Sequence, residues 1–238
     1  MTSLQKAIVT VAVALVAGAG IYATRQAFEE YKERRSLDKL MSVAKTAFDN
    51  FNANVGGMSD SERDQFANKT FAPLNAAFAA VTDDACKGDH SARNVLVRGL
   101  KIPELSGTAT GSLGVLAGKG DDGALEVLLH PEKHGLLLSG SVGALRHAAE
   151  NGNQKAIDFL AAVAKDPRDQ PLWFMAGDGL NKAAANGNPV AIDALIDLLA
   201  SSNQSVKNIA VAGLKMAAAN QNEKAADALR SRGIPSVQ

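Results

Sequence analysis

A three-residue turn returns five times along this chain, at Lys87-Gly88-Asp89, Lys119-Gly120-Asp121, Asn151-Gly152-Asn153, Asn186-Gly187-Asn188 and, with Gln in the Gly position, Asn220-Gln221-Asn222. The intervals are 32, 32, 35 and 34 residues. A period of that length belongs to stacked helical hairpins, because one hairpin cannot bury its apolar face alone and hides it against its neighbours.

The residues around the turn repeat with it. Seven before the turn Gly stand Val81, Leu113, Leu145, Leu180 and Leu214, and three before it Ala85, Ala117, Ala149, Ala184 and Ala218. These share one face of a helix. Four beyond it stand Ala92, Ala124, Ala156, Ala191 and Ala225, and eight beyond it Leu96, Leu128, Leu160, Leu195 and Leu229, the stripe of a second helix. Gly takes the left-handed conformation that ends the first helix, and the following Asp or Asn caps the amides of the second. Pro189 suits a first helical position, which needs no amide hydrogen. In the last unit either Gln221 or Asn220 carries the left-handed residue. Ala at the contact positions lets helices approach closely, so a chain with 5% aromatic residues can still pack densely.

The run Gly143-Ala144-Leu145-Arg146-His147-Ala148-Ala149-Glu150-Asn151-Gly152-Asn153, with Ala156, Ile157 and Leu160 after it, resembles both ankyrin and short HEAT-type repeats. Ser205 to Leu214 reads as one long first helix and lacks the short helix and Gly-Ala-Asp loop of ankyrin units, so the nearer resemblance is to HEAT or armadillo-like repeats. It covers about residues 80 to 232. It implies an α-solenoid and brings no catalytic residue with it.

The N-terminus carries the second constraint. Ala7 to Thr24 are 18 consecutive uncharged residues between Lys6 and Arg25. As a helix they reach about 27 Å, close to the thickness of a bilayer core. The competing reading is a secretory signal cleaved after Ala17-Gly18-Ala19 or Ile21-Tyr22-Ala23. Only Lys6 precedes the run, whereas Arg25, Lys32, Arg34, Arg35 and Lys39 follow it, a bias that places the C-terminal part in the cytoplasm. Thr10, Ala14 and Gly18 fall on one face, where a second membrane helix could pack.

Beyond the run, Phe28, Tyr31, Leu37, Leu40, Met41, Ala44 and Phe48 keep a helical spacing and are read as a stalk. Asn52 to Gly57 breaks it, Ser59 and Glu62 form a capping box, Pro73 is expected to end or kink the next helix, and Ile102 to Gly111 is expected to be a loop. The chain is therefore read as all-α: a transmembrane anchor or signal peptide over 1–25, an amphipathic helical stalk over 26–56, and over 57–238 a right-handed α-solenoid of about five helical hairpins.

Chemistry is sparse. Gly114 to Gly120 has the glycines of a phosphate-binding loop without its spacing or its Ser/Thr, and the repeat accounts for those residues. Cys86 with His90 straddles a turn, and Pro131 interrupts His130 and His134, so neither pair forms a metal site on one helix. The sequons at Asn68 and Asn203 are read as chance. No nucleophile-base set is legible, and the reading is of a non-enzymatic protein with no cofactor and no small-molecule substrate. With 25 basic and 25 acidic side chains there is no bulk attraction to nucleic acid. The single cysteine excludes an internal disulfide.

Charge does recur at one register position. Six beyond each turn stand Asn94, Glu126, Asp158, Asp193 and Asp227, so the second helices should carry an acidic stripe. Arg146, Lys182 and Lys215 on the first helices suggest a basic ridge. Either is a solvated face or a docking surface for a protein partner. The expectation is a scaffold or accessory subunit, held at a membrane by residues 7–24 and binding other subunits of a membrane complex. The alternative is an exported binding module, periplasmic or secreted.

Overall fold

The computed structural model describes residues 32–33 and 35–235. The apolar run over 7–24 and the first part of the expected stalk lie outside them. Among the described residues there is no strand, and no helix is long and apolar enough to cross a membrane.

Among the described residues twelve α-helices follow one another. The first, α1, takes in 32–33 and 35–54, and α2 (Asp60–Cys86), α3 (His90–Gly99), α4 (Pro103–Gly118), α5 (Asp122–Leu129), α6 (Pro131–His134), α7 (Leu138–Glu150), α8 (Gln154–Lys165), α9 (Trp173–Ala185), α10 (Pro189–Leu198), α11 (Gln204–Ala219) and α12 (Glu223–Arg230) continue the chain, with a 3-10 turn at Pro167–Leu172. Five hairpins are formed by α2 with α3, α4 with α5, α7 with α8, α9 with α10 and α11 with α12. Each first helix packs on the first helix of the next hairpin, and from α5 onward the second helices do the same.

The turns close as their residues require. Gly88, Gly120, Gly152 and Gly187 hold φ between +81 and +91, and Gln221 holds φ +65. Gln221 is therefore the left-handed residue of the last turn, and Asn220 (φ −88) is not. In the third turn the Gly152 amide donates to the Ala149 carbonyl and the Asn153 amide to that of Ala148, both at 2.9 Å, which is the Schellman pattern. The next side chain then opens the second helix: Asp89, Asp121, Asn153, Asn188 and Asn222 each accept from amides in the first turn of the following helix.

Leu96, Leu128, Leu160, Leu195 and Leu229 are fully buried, as are Leu113, Leu145, Leu180 and Leu214 on the first helices. Val81 and Ala218, in the two end units, are partly buried. Glycine on the first helices sets how closely the units approach. A Cβ on Gly114 would lie 2.8 Å from the Ala144 carbonyl oxygen, and one on Gly179 would lie 2.7 Å from a Leu160 methyl.

Three expectations are corrected. Pro73 does not end α2, because Thr70, Leu74 and Phe78 on either side of it are all buried and packing spans the missing hydrogen bond. Ile102 to Gly111 is not a loop: Pro103 occupies the first position of α4, and Leu105, Ala109 and Leu113 supply the buried stripe that outweighs the cost of Gly107 and Gly111. The stretch expected to stand apart as a stalk has its described part folded onto the first hairpins. Leu40 and Ala44 of α1 join one core with Leu74 and Phe78, and Phe48 meets Phe71 edge-on at 4.9 Å between ring centroids.

Candidate protein-docking surface

The register that buries one face of each second helix exposes the opposite one. Glu126, Asp158, Asp193 and Asp227 are all exposed, one per hairpin. Each also has a partner within the molecule. Glu126 meets His130 Nε2 at 3.0 Å, Asp158 accepts from Gln154 Nε2 at 2.9 Å, Asp193 pairs with Lys224 of the next hairpin, and Asp227 pairs with Arg230. These are exposed single contacts that water screens, so they bind the carboxylates weakly.

Asn94, the neutral member of the row, has a local cause. Its Nδ2 donates to Glu33 Oε1 at 2.8 Å, and Glu33, only 5% exposed, also meets Arg98 at 2.9 Å. A carboxylate at position 94 would face that buried carboxylate. In the first hairpin the acidic group thus comes from α1. The adjacent Lys32 bonds Asp89, and that contact lowers the Asp89 pKa below the usual carboxylate range.

The basic ridge divides. Arg146 of α7 and Lys182 of α9 both pair with Asp178 of α9, and the stem of Arg146 lies against Gly179. Lys215 is one hairpin further on, half-buried on α11, with no ion pair among the described residues. Arg146 and Lys182 thus share one site at a junction between units, and Lys215 belongs to the last hairpin.

A second row was not read from the sequence. Asn186 Nδ2 donates to the Glu150 carbonyl at 3.1 Å and Asn220 Nδ2 to the Ala185 carbonyl at 2.8 Å, so the residue before the left-handed one ties the fourth and fifth units each to the last helical carbonyl of the unit before. The recurrence of Asn at 151, 186 and 220 was the available cue. Asn151 instead bonds the His147 carbonyl of its own helix.

Asp166 serves the fold at the start of the 3-10 turn. Asp166 has its pKa lowered to about 2 by hydrogen bonds from Arg168, whose backbone it also caps, and its carbonyl accepts from the Trp173 indole at 2.8 Å. An open cleft of about 470 Å³ lies between α2 and α4, with Phe78, Thr82, Cys86 and Val115 in its walls. Among the described residues no three His, Cys, Asp or Glu side chains converge as a metal site would require.

No protein-family model, curated protein or solved structure matches this chain. The repeat register and the surface it generates carry the functional argument.

Proposed function

We propose that this chain is a non-enzymatic scaffold or accessory subunit: an α-solenoid of HEAT or armadillo type, held at a membrane by residues 7–24 with its repeat domain on the cytoplasmic side, that docks a protein partner within a membrane-associated complex. The observation that carries it is the row of exposed carboxylates, Glu126, Asp158, Asp193 and Asp227, produced at one register position by successive hairpins. A partner segment with basic side chains at matching intervals exchanges places with the weak internal contacts of this row. The anchor raises the local concentration of what the scaffold holds. The small residues at Ala17-Gly18-Ala19 favour a second reading, an exported binding module released by cleavage. Intact mass separates the two, because cleavage leaves a mature start near Gly20 or Thr24.

The surface is tested by replacing Glu126, Asp158, Asp193 and Asp227 together with their amide counterparts and recovering partners from native membranes at two ionic strengths. The expected outcome is unchanged helix content and melting temperature with reduced recovery, and a weaker dependence of the residual binding on salt. Equal recovery at both ionic strengths removes the acidic row and moves the search to Arg146, Lys182 and Lys215.

A further inference from the structure

Two of the five turns contain Asn-Gly, at Asn151-Gly152 and Asn186-Gly187. This dipeptide is prone to lose ammonia, because glycine has no Cβ to hinder its nitrogen from reaching the neighbouring carboxamide. The glycine nitrogen, having given its proton to solvent base, attacks Asn Cγ. A nitrogen-carbon bond closes a five-membered succinimide, and the carboxamide nitrogen leaves as ammonia. Water then opens the ring at either carbonyl, leaving aspartate or isoaspartate.

The fold restrains every atom that must move. The Gly152 amide donates to the Ala149 carbonyl and the Gly187 amide to that of Ala184, both at 2.9 Å. The ψ angles of Asn151 and Asn186 are 10° and 6°, which turns each glycine nitrogen away from the side chain it would attack. Ring closure needs a large rotation there, and the left-handed glycine and its two turn hydrogen bonds oppose it. The carboxamides differ. Asn151 Nδ2 is held at 3.0 Å by His147 of its own helix, whereas Asn186 Nδ2 is held at 3.1 Å by Glu150 of the preceding hairpin.

We propose that these two turns are latent deamidation sites, shut while their hairpins are closed, and that Asn186 is the better guarded because its carboxamide is tied across a unit boundary. Reaction at Asn186 has the larger consequence. Aspartate there places an acceptor oxygen against the Glu150 carbonyl in place of a donor, and isoaspartate also lengthens the backbone beside a glycine that must hold φ +81. Both changes loosen the junction between the third and fourth hairpins. The inference does not depend on the proposed docking function.

The test incubates the full-length chain in detergent at mildly alkaline pH, with and without concentrated urea, and measures conversion at both turns by peptide mass spectrometry. In urea the two sites should convert at matching rates, since each is followed by glycine. In the folded chain both should slow by at least about tenfold, the factor a modest local-opening free energy imposes, with Asn186 the slower. Folded rates equal to those in urea overturn the guarding role of the turn, and an Asn186 as fast as Asn151 overturns the role of the cross-unit bond. The variants carry the consequence: Asn186→Asp should lower the urea midpoint more than Asn151→Asp, and the reverse order overturns it.

Discussion

Glycine plays two opposed parts in α4, where Gly111 and Gly114 stand one helical turn apart. Nothing lies within 4 Å of a Cβ built on Gly111, whereas one on Gly114 would strike the Ala144 backbone. Gly111→Ala should therefore stabilise the protein by about 0.5–1 kcal/mol, since it lowers the chain entropy lost on folding and costs no contact. Gly114→Ala should destabilise it by about 1–3 kcal/mol, because the units must part to admit the methyl group. Urea midpoints of the two variants check this, and shifts of the same sign would show that these units do not approach as described. The pattern of apolar and turn residues in the sequence distinguishes neither glycine, because the collision lies between residues 30 positions apart and depends on how the stack is assembled.

At the scale of the element, the turns and the first helix give separate expectations. Gln221 holds φ +65, a conformation that costs a residue with a Cβ roughly 1 kcal/mol. Gln221→Gly should raise the melting temperature, and Gly152→Val should lower it sharply, because a β-branched residue is poorly accommodated at φ +84. No gain from Gln221→Gly would mean that the last turn relaxes in solution. For α1 the determinant is Glu33, buried against Asn94 and Arg98. Glu33→Ala leaves the part-buried Asn94 carboxamide without its acceptor, while the half-exposed Arg98 turns to water, and should cost about 1 kcal/mol. Hydrogen exchange in α1 should accelerate before exchange in α7 to α12, and a uniform change across the molecule would count against a separately docked helix.

The existence of the hairpins was legible because Leu128, Leu160 and Leu195 recur in register with a turn whose chemistry is local. The start of α4 was not, because a proline and two glycines resemble a loop until the buried face of Leu105, Ala109 and Leu113 is known. The docking of α1 was also hidden, since the spacing of Leu40 and Ala44 gives a face but not what covers it. As for the candidate surface, the acidic row could be counted out in the sequence, while its internal partners and the division of the basic residues arise only when the helices stack.

For the whole molecule, the proposed topology is the first thing to establish. Five basic residues follow the apolar run and one precedes it, so protease added outside intact cells should leave the chain beyond Arg25 uncut. Degradation under those conditions would place the repeat domain on the other side. The two asparagine bonds between units share a direction. In both asparagine pairs the later hairpin provides the donor, Asn186 or Asn220, and the earlier one a backbone carbonyl, whereas charged contacts such as Arg93 with Asp121 and Arg146 with Asp178 put the donor on the earlier unit. A chain emerging from the ribosome therefore presents Asn186 and Asn220 to a neighbour that has already formed, and until then the Glu150 and Ala185 carbonyls are served by water. At these two junctions synthesis and bonding run the same way, so a chain interrupted after the third hairpin leaves only the Glu150 carbonyl of this pair to water, whereas one that starts at the fourth begins with Asn186 without its acceptor.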